Sequence, residues 1–129
     1  MAGSVSPSYS ATQVKDAARL RHSVDIARCR AEGISHTDRL FSLRARPSGL
    51  DTVRVAVSAS RAVGPAVRRN RARRRIREAI RVELAGRPLA SGAGVDLLFA
   101  ARTAAIDAPA AALRAAVARQ LGAALGSAS

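Results

Sequence analysis

Arginine is the residue type best placed to do chemistry in this chain. Residues 67 to 81 read VRRNRARRRIREAIR, and eight of the 21 arginines fall between Arg68 and Arg81, with Asn70 among them. A guanidinium is a planar, permanently charged fork of donors that matches phosphate oxygens two at a time. Such a run grips polyanions and cleaves nothing by itself. Its spacing is that of an amphipathic helix. With Ala72 at zero and about 100° per residue, Ala72, Ile76, Ala79, Ile80 and Leu84 fall in an arc from about −20° to 120°. Asn70, Arg71, Arg73, Arg74, Arg77 and Arg81 fall between about 100° and 260° on the same wheel. Arg75 flanks the apolar stripe, and Arg68 and Arg69 belong to the first turn. The expected element is a helix docked by one face that holds out a rigid strip of positive charge. Like charges one turn apart cost roughly 0.2–0.5 kcal/mol per pair, and Glu78 is the only acid in the stretch. Phosphates would remove that repulsion, each neutralised phosphate adding about 0.7–0.9 to the slope of log K against log salt.

Other chemistries find less support. A self-contained nuclease needs a general base, an acid or a carboxylate pair for a metal. The nine acids, Asp16, Asp25, Glu32, Asp38, Asp51, Glu78, Glu83, Asp96 and Asp107, are dispersed, and no two form a convincing pair. His22, Asp25 and Cys29 lie at i, i+3 and i+7 and make the one metal-like cluster. No CxxC or HxxxH partner accompanies them, so Cys29 reads as a small hydrophobe on a packing face. His36 stands alone in a connection. Val63-Gly64-Pro65 lacks the spacing of a phosphate-cradling loop. No catalytic residue, metal site or protein-bound cofactor is expected.

The elements that must carry the arginine strip are legible in outline. The chain has 129 residues, 48% of them hydrophobic and 2% aromatic, so alanine, valine and leucine must fill one core. Its net charge of +13 points to polyanionic partners. Cys29 is single, the N-terminus lacks a signal-like apolar stretch, and no run is long enough to span a bilayer. A cytoplasmic protein is expected. Residues 1–17 read as a disordered tail, 18–125 as a single RNA-binding α/β domain and 126–129 as a frayed C-terminus. Ser23 would cap a short helix that stops at Gly33 and seats through Val24, Ile26, Ala27 and Ala31. Residues 34–37 add a short strand piece. Residues 39–46 and 52–60 alternate as two strands, expected to be antiparallel neighbours joined by a hairpin-like connection at 46–51. Phe41, Leu43 and Ala45 would face inward on the first, and Val53, Val55 and Val57 on the second. Gly64 would cap the basic helix with Pro65 at its first position, and Gly86 and Pro88 would end it. VDLLFAAR (95–102) is a further strand. Asp107 would cap a last helix whose apolar row is Leu113, Val117 and Leu121. This order predicts an α/β (α+β) sandwich, a small mixed sheet with packed helices.

The run SxSRxVGxAVxRNRxRRxIREA, from Ser58 to Ala79, resembles the signature of the bacterial ribonuclease P protein subunit, with Arg69-Asn70-Arg71 at its centre. RLRHSVDI (19–26) is similar to that family's opening segment, Gly33 fits the glycine that follows, and the likeness extends over about residues 18 to 125. The resemblance implies a left-handed βαβ crossover and a partnership with a catalytic RNA that removes the 5′ leader from precursor tRNA. The RNA would hold the Mg²⁺ ions and perform the hydrolysis. It also implies that Arg61, Arg68, Arg69, Asn70, Arg71, Arg73, Arg74 and Arg77 bind RNA. A cleft between the sheet and the first helix would take the single-stranded leader. The cleft positions common to the family correspond here to Ile26, Arg30 and Arg44 in place of aromatics. Phe41 is the one aromatic nearby and also fits the core face of its strand. Charge and guanidinium stacking would then replace ring stacking. Ala62 departs from the second basic residue that many members place after Arg61.

A structural ribosomal-RNA-binding protein is the alternative, sharing the charge without any cleavage role. A DNA major-groove reader would mix more Asn, Gln, Ser or Thr among its arginines. A membrane-surface helix would need an uncommitted apolar face with Trp or Phe.

Overall fold

The computed structural model describes residues 12–13, 18–85, 87–89 and 92–126. Among them the order is β1 (Thr12–Gln13), β2 (Ala18–Arg19), α1 (Ser23–Glu32), β3 (Ile34–Thr37), β4 (Phe41–Pro47), β5 (Arg54–Ala59), α2 (Ala66–Leu84), β6 (Pro88–Leu89), β7 (Val95–Ala101) and α3 (Ala110–Gly126). Single 3-10 turns occupy Arg61–Val63 and Thr103–Ala105. Five strands form a mixed sheet in the order β2-β5-β7-β4-β3. β5 runs parallel to both β2 and β7, and β4 runs antiparallel to β7 and β3. The β5–α2–β7 unit is therefore a βαβ crossover between neighbouring parallel strands. The architecture is the expected α+β sandwich.

One expectation about the sheet is overturned. β4 and β5 are not neighbours, because β7 lies between them. The reason is in the sequence of β7, which buries six of its seven residues. A strand that apolar on both faces belongs in the middle of a sheet. The connection from β4 to β5 is consequently a bridge over the start of β7 and not a hairpin. Ser48 N–H donates to the Gly94 carbonyl (2.9 Å) and Gly94 N–H to the Leu50 carbonyl (2.7 Å). A Cβ on Gly94 would stand 2.4 Å from the Thr52 carbonyl oxygen and 2.5 Å from that of Leu50, so only glycine fits under the bridge.

The main core lies on one face of the sheet. There α2 contributes Ala72, Ile76, Ala79, Ile80 and Leu84, and α3 contributes Leu113, Val117 and Leu121, all as the periodicity predicts. They meet Phe41, Leu43 and Ala45 of β4, Val55 and Val57 of β5, and Leu97 and Phe99 of β7. Val67 does not join them; it is 76% exposed, on the far side of the helix.

α1 covers the other face and is seated differently from expectation. Val24, Ala27 and Ala31 are exposed, Ile26 is half-buried, and Cys29 is the only buried residue of the helix. Several boundaries shift by a residue or more. His22 caps α1 in place of Ser23. Gly64, at φ +134°, closes the 3-10 turn, and Pro65 takes the capping position of α2. The first bond of α3 runs from Leu113 N–H to the Pro109 carbonyl, which puts Pro109 where Asp107 was expected. Thr12 and Gln13, expected to lie in a disordered tail, pair antiparallel with Leu89 and Pro88. The rest of 1–17, Gly86 and 127–129 lie outside the described residues.

Candidate nucleic-acid interface

The outward face of α2 carries the arginine strip. Arg68, Asn70, Arg71, Arg74 and Arg81 are exposed, and Arg69, Arg73 and Arg77 are partly covered. Arg61 stands exposed in the 3-10 turn just before the helix. The guanidiniums differ in what already holds them. Arg73 Nη2 donates to Asn70 Oδ1 one turn back. Arg71 Nε donates to the Ile106 carbonyl at 3.2 Å, and Arg81 pairs with Glu78 at 2.7 Å. Arg69 Nε is buried and finds no acceptor among the described residues. Arg77 is desolvated and faces the charges of Arg19 and Arg73, and its pKa is lowered by burial first and then by those charges. Clustering of like charge, as at Arg19, Arg73 and Arg77, is the arrangement an incoming anion relieves.

Arg75 is the exception within the strip. Its Nη1 donates to the carbonyls of Ala105 (2.8 Å) and Ile106 (2.7 Å), and its Nη2 to that of Ala108. The side chain is spent on the turn between β7 and α3, as its place beside the apolar stripe allows.

Two depressions that share Arg19 and Arg77 adjoin the strip. One, of about 540 Å³, is lined by Arg19, Val67, Asn70, Arg73, Arg74 and Arg77. The other, of about 490 Å³, lies between α1 and the sheet. Arg19, Arg21, Ile26, Arg30 and Arg77 wall it, with Val55 to Ser58 and Leu98 as its floor. Arg19 and Arg77 belong to both, so the charged face of α2 runs without a break into the cleft. Of the residues expected in that cleft, Ile26 and Arg30 line it. Arg44 is exposed on the α1 face, but beside Gly33 at the end of the helix, and does not line the cleft. Phe41 is fully buried on the opposite face, its ring 5.2 Å from that of Phe99, and cannot reach a ligand. Sequence reasoning missed Arg19 and Arg21 as walls. The signal was present in their alternation about Leu20, which is 4% exposed while both arginines face outward.

The acids are less dispersed than they look in the sequence. Asp96, 0% exposed in the middle of the sheet, takes two hydrogen bonds from Arg54 (Nε–Oδ1 2.7 Å, Nη2–Oδ2 2.8 Å) and lies 3.8 Å from Arg46. Arg54 also reaches Asp25 at 3.3 Å and Arg46 reaches Glu32 at 3.2 Å, both on α1. The hydrogen bonding of Arg54 to the Asp96 carboxylate is the main cause that raises the pKa of Arg54. Cys29 Sγ sits over the same spot, 3.4 Å from the Arg44 carbonyl and 3.6 Å from that of Asp96. Burial, followed by the nearby Asp96 charge, pushes its thiol pKa up. Asp25 and Cys29 are thus engaged separately, and among the described residues no three His, Cys, Asp or Glu gather to hold a metal. Nor is any described helix long and apolar enough to cross a membrane.

Residues 14–125 match the Ribonuclease P family model. The chain is 43% identical over 97 residues to the ribonuclease P protein component of Chloroflexus aurantiacus, covering 74% of this chain and 69% of that one. It is 38% identical over 109 residues to that of Chloroflexus aggregans, covering 84% and 78%. Among solved structures, a Staphylococcus aureus RNase P protein mutant with defective mRNA degradation activity superposes with a TM-score of 0.67 at 28% identity, covering 82% of this chain and 86% of that one. The RNase P protein from Thermotoga maritima in complex with 1-(4-fluorophenyl)-2-thiourea gives 0.65 at 25% identity, covering 80% and 96%. The strand–turn–helix order around Arg69-Asn70-Arg71, the mixed sheet and these matches agree: the chain belongs to the ribonuclease P protein family.

Proposed function

We propose that this protein is the subunit that seats the catalytic RNA of ribonuclease P and holds the 5′ leader of precursor tRNA, in the cytoplasm, as a single domain spanning residues 18–125. The observation that carries the reading is the shared pair Arg19 and Arg77, which joins the α2 strip to the α1 cleft. One RNA surface on the strip and one strand in the cleft can then be held in fixed register. Arg61, Arg68, Arg69, Asn70, Arg71, Arg73, Arg74 and Arg77 contact the phosphates of the RNA subunit, and the unpaired Nε of Arg69 gains an acceptor there. Recognition is of backbone and shape, because side chains do not reach into the deep, narrow major groove of A-form RNA. Arg30 and Ile26 hold the leader, the guanidinium by charge and stacking and the aliphatic chain by covering a base face. Mg²⁺ held by the RNA would supply the activated water and the charge neutralisation that the hydrolysis needs. The described carboxylates of this chain do not gather as metal ligands, and its part is to bind and orient.

The test is single-turnover cleavage of precursor tRNA at low Mg²⁺ with the cognate RNA subunit, with and without the protein. Strong stimulation that vanishes when the RNA is omitted supports the proposal. Tight RNA binding without stimulation would instead favour a structural ribosomal-RNA-binding role.

A further inference from the structure

The helix that walls the cleft buries little against the sheet and is tied to it by two ion pairs. α1 buries one side chain, Cys29, and that only with a weak sulfur contact to two carbonyls. Burial on that scale does not fix the rotation or tilt of a ten-residue helix. Its firmer attachments are Asp25 to Arg54 and Glu32 to Arg46, one near each end. Both arginines turn on the same buried carboxylate, Asp96. The two bonds from Arg54 to Asp96 form a bidentate pair, and a carboxylate buried at the centre of a sheet is costly unless so matched. Asp96 lies two residues before Leu98 on β7, on the same face, and Leu98 floors the cleft while Ile26 and Arg30 of α1 wall it.

We propose that Asp96, Arg54 and Arg46 are positioning residues for the precursor-tRNA leader. They latch α1 at both ends, and so set the width and angle of the cleft without touching its contents. The inference rests on the leader-cleft reading above.

Substitution of Asp96 leaves two arginines facing a buried void of charge and risks the fold. The test therefore uses the double variant Asp25→Asn/Glu32→Gln, which frees α1 while leaving the Arg54–Asp96 pair intact. Neither residue lines the cleft. Affinity of the reconstituted holoenzyme is measured for precursor tRNAs with leaders of increasing length and for mature tRNA, alongside affinity for the RNA subunit and hydrogen exchange across α1. The latch predicts faster exchange in α1 and a leader-dependent affinity lowered at least about fivefold, the lower end of what one stacked base contributes. RNA-subunit affinity should not fall. The sign is informative, because the two substitutions raise the formal charge from +13 to +15 and electrostatics alone would tighten RNA binding. Asp25→Glu with Glu32 retained should restore most of the loss. A wild-type leader dependence that the double variant keeps in full overturns the latch and leaves the cleft reading standing. A wild-type protein with no leader dependence overturns both.

Discussion

Arg75 and Arg74 are adjacent arginines on α2, and the structure places their guanidiniums differently. Arg75 donates to three carbonyls of the turn that leads into α3, whereas Arg74 is exposed and lines the depression it shares with Asn70, Arg73 and Arg77. Replacing Arg75 by methionine keeps most of the aliphatic stem and removes only the donors. Hydrogen bonds from a charged group contribute about 1.5–3 kcal/mol each, and they share one side chain that is only partly covered, so about 2–4 kcal/mol in all is expected. At roughly 4 °C of melting temperature per kcal/mol for a domain of this size, Arg75→Met should melt about 8–16 °C lower. Arg74→Met should stay within about 0.5 kcal/mol of the parent. In titrations of the RNA subunit at several salt concentrations the order reverses. Arg74→Met should flatten the slope of log K against log salt by about 0.7–0.9, and folded Arg75→Met should keep the parent slope. If Arg75→Met melts with the parent and loses the same slope as Arg74→Met, the distinction drawn from these contacts is wrong.

Asp38 ties the β3–β4 connection to α3 through Arg119 and Gln120 and accepts from Leu40 N–H. Burial raises its carboxyl pKa, but those three partners outweigh burial and the net shift is downward. A folded pKa below the unfolded one gives stability that is full above about pH 4 and lost as pH falls through the folded value. Asp38→Asn should therefore have a lower urea midpoint than the parent at neutral pH, a gap that closes in acid; a gap independent of pH would exclude the ionised contacts. Cys29, buried with its pKa raised, should resist iodoacetamide near about pH 8 in the folded protein and react at once in urea. Gly94→Ala should destabilise by about 1–3 kcal/mol, because its Cβ meets two carbonyl oxygens. Gly122→Ala, in α3 with nothing within 4 Å, should stabilise by about 0.5–1 kcal/mol on denaturant unfolding.

How much of this the sequence disclosed depends on the range over which each signal acts. The core faces of α2 and α3 follow from helical period alone, and Ile76, Ala79, Leu113 and Leu121 are buried where the wheel puts them. Alternation likewise placed Val53, Val55 and Val57 inward. The pairing of β4 and β5 was misjudged because nothing local to those strands says that a third, 40 residues on, will come between them. The wheel sets Arg75 apart from the strip, beside the apolar stripe, but the turn at Ala105–Ala108 whose carbonyls it meets is remote in sequence and could not be read from the helix. The charge network was hidden by distance in sequence: Asp25, Arg46, Arg54 and Asp96 come from four separate elements. A hint remained in Asp96 itself, a lone carboxylate in a strand apolar on both faces, which requires a cation to meet it.

The central place of β7 has a consequence for synthesis. Neither β4 nor β5 has its inner partner until Val95–Ala101 has been made, so the sheet stays open while α2 already exists in the growing chain. During that interval the helix has its arginines in full but lacks β7 and α3, part of the surface on which Ile76 and Ile80 are laid. An emerging chain of this charge next to ribosomal RNA is exposed to the wrong polyanion before it is rigid enough to choose the right one. Closure by a late, non-local strand is intrinsically slow, and the interval ends only when the last third of the protein arrives.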